Sequence, residues 1–169
     1  DSGTFTVGAG GASFVTTAND ATINLGTLAV TGDITLTTND AAGTDANATI
    51  VNATAISFGA STVDGNLIAT ATTGNITDSG TVTVGGTSSF TTTLADADID
   101  LGTLASTGTV ALSTNGTTGN ATVINATALD FATTGVGGAL VATATTGNIT
   151  DSGVITVAGT SSFTTSAND

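Results

Sequence analysis

Three carboxylates near the middle of the chain have the spacing of a metal site. Asp96, Asp98 and Asp100 alternate with other residues, and side chains two apart on a strand point to the same face. The pattern predicts three carboxylates on the outward face of one strand. Oxygen clusters of this kind suit calcium, and paired carboxylates serve glycosidases. The first sequence copy keeps only one of these carboxylates, Asp20, which favours a solvated acidic face and leaves calcium as the alternative.

Seven asparagines begin an Asn-X-Ser/Thr sequon, the acceptor pattern for glycosylation of exposed sites in exported proteins. Asparagines in a repetitive chain also occupy turn corners or stack as amide ladders. Both interpretations stay open from the sequence. The sequons begin at Asn47, Asn52, Asn75, Asn115, Asn120, Asn125 and Asn148.

The residue types that are missing exclude most other chemistry. The 169 residues contain no Lys, Arg, His or Cys, and the net charge is −13. Without imidazole or thiol there is no common nucleophilic triad and no zinc site of nitrogen and sulfur ligands. Without cations nothing neutralises phosphates, and anionic lipid repels the chain. We therefore expect no enzyme activity, no nucleic-acid partner and no membrane insertion, and no cofactor apart from the calcium alternative.

Internal repeats are the strongest signal in the sequence. Residues 78–96 and 151–169 share the pattern DSG…TV…GTSSFTT, and residues 1–20 are a more diverged copy. The chain divides into long repeats at 1–77 and 78–150, with the start of a third at 151–169. We expect one continuous segment over 1–169, taken from a longer array.

Within each repeat, short runs alternate apolar and polar residues, the period of half-buried strands. Gly, Asn and Asp separate the runs and suit turns. The predicted fold is an all-β, right-handed parallel β-helix (β-solenoid) with about three strands and roughly 25 residues per coil. Three coils would fill each long repeat. This predicted fold places four residues above one another along one face: Val82, Leu104, Leu129 and Ile155.

The stacking of coils also predicts partners. Open strand edges remain only at the two ends of a solenoid, where natural solenoids carry caps. No cap is visible in the sequence, so further copies of the same repeat are expected end to end. The acidic charge is expected to prevent sideways aggregation.

Units such as ALDFATTGVGGALVATATTGNITDSG and SGVITVAGTSSFTT, which extend over essentially the whole chain, resemble the repeat regions of filamentous-haemagglutinin-like exoproteins, the giant adhesins of two-partner secretion. The resemblance implies export across an outer membrane and folding outside the cell into a right-handed β-helix. It also implies adhesion or matrix building at the cell surface, with host or matrix glycans as further partners.

The expected function is therefore a structural or adhesive shaft of an extracellular bacterial fibre or adhesin. Two alternatives use the same fold. Thr runs such as TATT at 70–73 and 143–146 suit an ice-binding solenoid, although outward Thr pairs are interrupted along the first predicted face. A carbohydrate-active β-helix is the enzyme alternative, and no insertion that would form its cleft is visible.

Overall fold

The computed structural model describes residues 1–41, 43 and 45–166, and all regular structure in them is β-strand. No helix in these residues is long and apolar enough to cross a membrane. The first repeat holds β1 (Phe5–Val7), β2 (Ala12–Asn19), β3 (Ile23–Val30), β4 (Ile34–Asn39), β5 (Ala48–Asn52), β6 (Ile56–Phe58), β7 (Ser61–Val63), β8 (Leu67–Ala71) and β9 (Ile76–Asp78). The remainder holds β10 (Val82–Val84), β11 (Ser88–Ala95), β12 (Ile99–Ser106), β13 (Val110–Asn115), β14 (Ala121–Asn125), β15 (Leu129–Phe131), β16 (Thr134–Val136), β17 (Leu140–Ala144), β18 (Ile149–Asp151), β19 (Ile155–Val157) and β20 (Ser161–Thr165).

The strands wind into stacked coils, which confirms the predicted all-β solenoid with about three strands per coil. Phe5 pairs in parallel with Leu28, and Ser88 pairs with Val110 in the same way. The solenoid has about 8 coils, and equivalent positions recur roughly 21 residues apart. The coils are therefore shorter than the roughly 25 residues expected from the sequence.

Two sheets form the walls of the solenoid. The first sheet holds β1, β3, β5, β8, β11, β13, β15, β16, β18 and β19. The second sheet holds β2, β4, β6, β7, β9, β10, β12, β14, β17 and β20. Two short strands on one coil often align with one long strand on the next: β9 and β10 both pair with β12.

Successive long repeats are related by half a turn. In the first sheet, β1 is followed one coil at a time by β3, β5, β8 and β11. β10, the second copy of β1, comes between β8 and β11 along the chain but lies in the second sheet. One repeat is thus three and a half coils long, and β19, the third copy, returns to the first sheet. Two repeats, 77 plus 73 residues, fill seven coils of roughly 21 residues.

This half turn corrects the predicted column of stacked residues. Val82 does align with Leu104, in the second sheet. Leu129 aligns instead with Ile149, and Ile155 aligns with Thr134, both in the first sheet. The prediction of one column was wrong because it assumed a whole number of coils per repeat. The side chains still point inward, since either wall faces the same core.

The core combines large and small side chains from both walls. Phe58 and Phe90 meet edge to face with ring centroids 6.1 Å apart, and their copies Phe131 and Phe163 repeat the contact at 6.2 Å. Each pair joins one ring from each sheet. Ala69 lies in register beside Phe90 on the neighbouring coil. An alanine beside a ring leaves the volume that the ring fills, as close packing requires.

One corner of the solenoid is a column of glycines. The N–H of Gly86 donates to the carbonyl of Gly65 (2.9 Å), and that of Gly108 donates to the carbonyl of Gly86 (3.1 Å). A β-carbon on Gly108 would lie 2.4 Å from the oxygen of Gly86. Only glycine allows the coils to approach this closely.

Removal of one inward ring tests the packing. Phe58→Ala is expected to lower the free energy of unfolding by about 3–5 kcal/mol, because the fully buried ring leaves a cavity. Ile68→Ala is the control: Ile68 is 49% exposed and its loss is expected to change stability by about 0.5 kcal/mol or less. Denaturant unfolding followed by circular dichroism measures both. Equal effects would contradict the assigned core.

Candidate functional site: side-chain ladders between coils

The three carboxylates predicted to share a strand face do not do so. Asp96 lies in a turn after β11 with a left-handed φ of 63°, and Asp98 lies in the link before β12. Only Asp100 lies in the strand. The prediction failed at Asp96 because aspartate tolerates the left-handed region, and a residue in that region interrupts the extended run.

Asp96 and Asp98 bind the next coil. The carboxylate of Asp96 accepts the N–H groups of Thr117 and Thr118, both at 3.0 Å. Hydrogen bonds from the Thr118 backbone and side chain, then from the Thr117 backbone, hold the pKa of Asp96 below its usual value. Asp98 accepts the N–H of Asn120 at 2.7 Å. No group of three or more carboxylate, imidazole or thiol side chains in the described residues is placed to hold a metal, so calcium gains no support.

Two of the predicted glycosylation sites lie inside the protein. Asn52 and Asn125 are both 0% exposed. The side chain of Asn52 accepts the N–H of Val30 (2.9 Å) and donates to its carbonyl (2.8 Å). Asn125 makes the same pair of bonds with Ser106, at 2.8 and 2.9 Å. In the folded protein neither asparagine is accessible to a glycosyltransferase.

Each buried amide takes the place of a backbone bridge. β3 and β12 each carry one extra residue at the point where their register against the next coil shifts. β5 and β14 end just beyond this shift, at Asn52 and Asn125, so the backbone groups of Val30 and Ser106 have no strand beside them on the next coil. The asparagine side chain supplies one donor and one acceptor to these groups, and its second N–H proton reaches Ala55 or Ala128 (2.7 Å in both).

A second set of polar side chains forms a ladder along one corner. Asn75 accepts the N–H of Asp98 (2.9 Å), Asp98 accepts that of Asn120, and Asn120 accepts that of Ala139 (2.9 Å). Asn47 begins a similar ladder by accepting the N–H of Asn66 at 2.7 Å. Every step joins one coil to the next. The amide ladder considered from the sequence is therefore present at these asparagines.

The remaining predicted acceptors are more open. Asn75, Asn115, Asn120 and Asn148 are exposed, and Asn47 is half-buried. Asn115 donates to the carbonyl of Thr93 at 2.7 Å. Glycosylation stays a prediction at these positions.

Sequence reasoning missed the clamp made by the aspartate of the DSG motif. Asp1 accepts the N–H groups of Gly26 (3.3 Å) and Thr27 (3.2 Å) on the next coil. Its copy Asp78 accepts those of Gly102 (3.0 Å) and Thr103 (2.8 Å). The sequence did contain a signal for this clamp: in both repeats the DSG motif is followed about one coil later by LGTL.

One further carboxylate joins three coils. The hydroxyls of Ser57 and Ser79 donate to the two oxygens of Asp33, at 2.6 and 2.8 Å, and these bonds lower the pKa of Asp33. In the second repeat the position of Ser57 is taken by Asp130. Its Oδ1 is the one buried side-chain polar atom of the described residues that lacks a hydrogen bond.

Both repeats carry the same shallow surface groove beside the clamped bend. The first groove encloses about 240 Å³ and the second about 220 Å³. Their linings match residue for residue in Thr4 and Thr81, Gly26 and Gly102, Thr27 and Thr103, Val51 and Ile124, Ala53 and Ala126, and Thr72 and Thr145.

Comparison with protein families gives a match to a repeat family. A family described as "Repeats of unknown function (DUF5649)" matches residues 45–95 and 118–169, which together exceed half of the chain. The two matched units start 73 residues apart, at 45 and 118, the length of the second repeat. No curated protein and no solved structure matches the chain.

The buried amides are expected to be essential for stability. Asn125→Ala leaves the N–H of Ser106 without its side-chain partner, at a cost of about 1–3 kcal/mol, while the carbonyl of Ser106 keeps the hydroxyl of Thr127. Asn148→Ala, at an exposed sequon, is expected to change stability by about 0.5 kcal/mol or less. Denaturant unfolding of the two variants compares them. Equal stability would show that water replaces the Asn125 amide.

Asp20 and Asp96, which both have a left-handed φ (62° and 63°), are expected to respond oppositely to pH. The pKa of Asp96 is lowered, so its stabilisation is present above the unfolded pKa and lost as pH falls through the folded pKa. The pKa of Asp20 is raised, by desolvation first and then by Asp40 and Asp45. Its ionised form opposes folding, so its contribution is present at low pH and lost as pH rises through the folded pKa.

Stability measured from about pH 7 to 3, on either side of the usual aspartate pKa, tests this assignment. Asp96→Asn is expected to lower stability at neutral pH and to flatten the loss on acidification. Asp20→Asn is expected to raise stability at neutral pH. Shifts of the same sign in both variants would contradict the hydrogen-bond assignment.

Proposed function

Since the chain belongs to the family of repeats of unknown function (DUF5649), we propose that it is a structural and adhesive shaft. In this proposal it forms part of an extracellular bacterial surface fibre or adhesin and carries out no catalysis. Its working properties are length and resistance to unfolding.

The main support is the way in which polar side chains are used. Asp1, Asp78, Asp96, Asp98 and Asn120 all accept N–H groups from a neighbouring coil. A catalytic carboxylate needs access to a substrate and a pKa suited to proton transfer. Here the bonded carboxylates fasten one coil to the next, which is the requirement of a shaft.

The connections between strands also favour a shaft. Most links between the described strands contain only a few residues. Binding and catalytic sites on repeat scaffolds are usually built from inserted loops. Short links leave the solenoid a nearly uniform rod, which supports a mechanical role.

Further copies of the repeat are the proposed partners at the ends of the rod. Asp151 is the third copy of the clamping aspartate and is exposed, with no side-chain hydrogen bond in the described residues. Phe163 projects toward the core column yet is 47% exposed. A further coil with an LGTL bend would bind the carboxylate of Asp151 and cover the ring.

The cell-surface location rests on the sequence. The units ALDFATTGVGGALVATATTGNITDSG and SGVITVAGTSSFTT resemble filamentous-haemagglutinin-like exoproteins, which reach the surface by two-partner secretion. The absence of Lys and Arg removes every trypsin site from these 169 residues. Protease resistance of this kind suits a protein outside the cell.

Ice binding is the second candidate, because one short Thr column does form. Thr37, Thr62 and Thr83 align in register on the outer face of the second sheet and are exposed. The column continues into Val15 on one side and Ala105 on the other. Three aligned hydroxyls favour this function over a carbohydrate-active enzyme, and thermal hysteresis of the purified chain measures it.

Immuno-electron microscopy tests the shaft. Antibodies raised against the folded chain are expected to label fibres on intact, unpermeabilised producing cells, because an exported rod is accessible there. The matched control uses the same antibodies after absorption with the purified chain. Labelling only after permeabilisation, or release of reducing sugars from polysaccharide by the purified chain, would overturn the proposal.

A further inference from the structure

Two dipeptides of the chain place a glycine directly after an asparagine or aspartate: Asn115-Gly116 and Asp64-Gly65. Glycine has no side chain, so its backbone nitrogen is unhindered and can attack the side-chain carbonyl carbon of the residue before it. At an asparagine this reaction closes a five-membered succinimide ring and releases ammonia. At an aspartate the same ring forms with loss of water. Both dipeptides are therefore reactive by sequence, and the solenoid treats them differently.

At Asp64-Gly65 the attacking nitrogen is held in the bonds between coils. The N–H of Gly65 donates to the carbonyl of Ala46 on the preceding coil (3.1 Å), and Gly65 is buried. The nitrogen cannot turn toward Asp64 without breaking this bond. The N–H groups that follow many asparagines are held by a neighbouring coil in the same way: those after Asn19, Asn39, Asn47, Asn52, Asn66, Asn75, Asn120 and Asn125.

At Asn115-Gly116 the attacking nitrogen lies beside its target. The N–H of Gly116 donates to Oδ1 of Asn115 (2.9 Å) and, within the described residues, to no backbone carbonyl. Oδ1 is one bond away from Cγ, the carbon that the nitrogen would attack. The carboxamide is fixed at its other end, because Nδ2 donates to the carbonyl of Thr93 (2.7 Å). Both residues are exposed to water, and reacting groups held in place react faster than groups that must first meet.

The fold requires the glycine that makes this position reactive. Gly116 has a left-handed φ of 89°, and a β-carbon on it would lie 2.4 Å from Oδ1 of Asp96 on the preceding coil. Asp96 is held in that place because its carboxylate accepts the N–H groups of Thr117 and Thr118. A side chain at position 116 would displace these bonds, so the reactive dipeptide is tied to the coil contact.

The first repeat contains the same corner without the reactive geometry. Asn39 is the counterpart of Asn115, and Asp40 follows it in place of glycine. The N–H of Asp40 donates to the carboxylate of Asp64 on the next coil (2.9 Å). Asn39 is half-buried, so one chain contains both a reactive asparagine and its internal reference.

We propose that Asn115 is a site of spontaneous deamidation in the folded protein. Hydroxide removes the proton of the Gly116 N–H, the nitrogen bonds to Cγ of Asn115, and the bond between Cγ and Nδ2 breaks. The leaving nitrogen takes a proton from water and departs as ammonia. Water then opens the succinimide at either of its two carbonyl carbons, which yields aspartate or isoaspartate. In sum, one amide and one water become one carboxylate and one ammonium ion.

The product weakens the contact between two coils. A carboxylate at position 115 presents an oxygen to the carbonyl of Thr93, where Nδ2 donated a hydrogen bond. The new charge also lies close to Asp96, whose N–H donates to the carbonyl of Asn115 (2.8 Å), and like charges oppose each other's ionisation. Isoaspartate adds a backbone carbon at the end of β13, where Asn115 aligns with Ala95. Either product is expected to lower stability.

Ageing of the purified chain tests the site. The folded chain is incubated at mildly alkaline pH, digested with pepsin at acidic pH and analysed by mass spectrometry. Position 115 is expected to exchange amide for acid at least about tenfold faster than Asn39 in the same sample, a barrier lower by about 1.4 kcal/mol. Asp64 is expected to remain aspartate in the folded chain and to form isoaspartate in guanidinium chloride, where the bond from Gly65 to Ala46 is broken.

Asn115→Gln is the matched variant, since it keeps a carboxamide but would have to close a six-membered ring, which forms more slowly. Circular dichroism establishes that it is folded. The aged wild-type chain is expected to gain negative charge in isoelectric focusing and to unfold at a lower denaturant concentration than the fresh chain. Aged Asn115→Gln is expected to match its fresh sample in both measurements.

Three outcomes would overturn the inference. The first is an Asn115 that stays intact in the folded chain but reacts in the unfolded chain. The second is reaction of Asn39 in the folded chain at the rate of Asn115, and the third is isoaspartate at Asp64 before unfolding, since both would show that the bonds between coils do not select the site. Equal loss of stability in aged wild type and aged Asn115→Gln would reject the weakening of the coil contact.

Discussion

The hydrogen bonds that join each coil to the next are the interaction on which the rest of the structure depends. One coil cannot bury its own apolar side chains, so the core exists only because neighbours stack at the spacing of paired strands. Most of that stacking comes from the parallel backbone ladders of the two sheets. Where the ladder is interrupted, side chains replace it.

The replacements are specific to the kind of interruption. Where β5 and β14 end, buried Asn52 and Asn125 provide the donor and acceptor that the last residues of β3 and β12 lack. At the clamped bend, Asp1 and Asp78 accept two consecutive N–H groups. Buried polar groups are costly unless they are paired, so each irregularity requires a side chain of the right length and chemistry. The positions of these polar residues in the repeat therefore mark where its backbone ladder is interrupted.

Much of the fold was predictable, because alternation of apolar and polar residues marks half-buried strands. The runs around Val82 and Leu104 were identified in this way and do stack. The half turn was not predictable, since a repeat length in residues does not state how many coils it fills. The site was predicted less well. An Asn-Ala-Thr sequence has the same letters at buried Asn52 and at exposed Asn120. Only their positions in the coil separate them, since Asn52 is the last residue of β5 and Asn120 lies in the link before β14. The left-handed turn at Asp96 likewise depends on bonds from the following coil.

Each repeat spans three and a half coils, so an odd number of repeats and an even number of repeats place the next residue on opposite sheets of the solenoid. The link lengths of the two repeats differ at two corners only: β4 and β5 are farther apart along the chain than β13 and β14, and β1 and β2 are farther apart than β10 and β11. These differences explain why the first repeat has 77 residues and the second has 73, although both repeats fill the same number of coils. Gain or loss of a single unit by recombination, in contrast, reverses the orientation of everything downstream. Gain or loss of two units restores it, so selection on an oriented tip would favour changes in pairs.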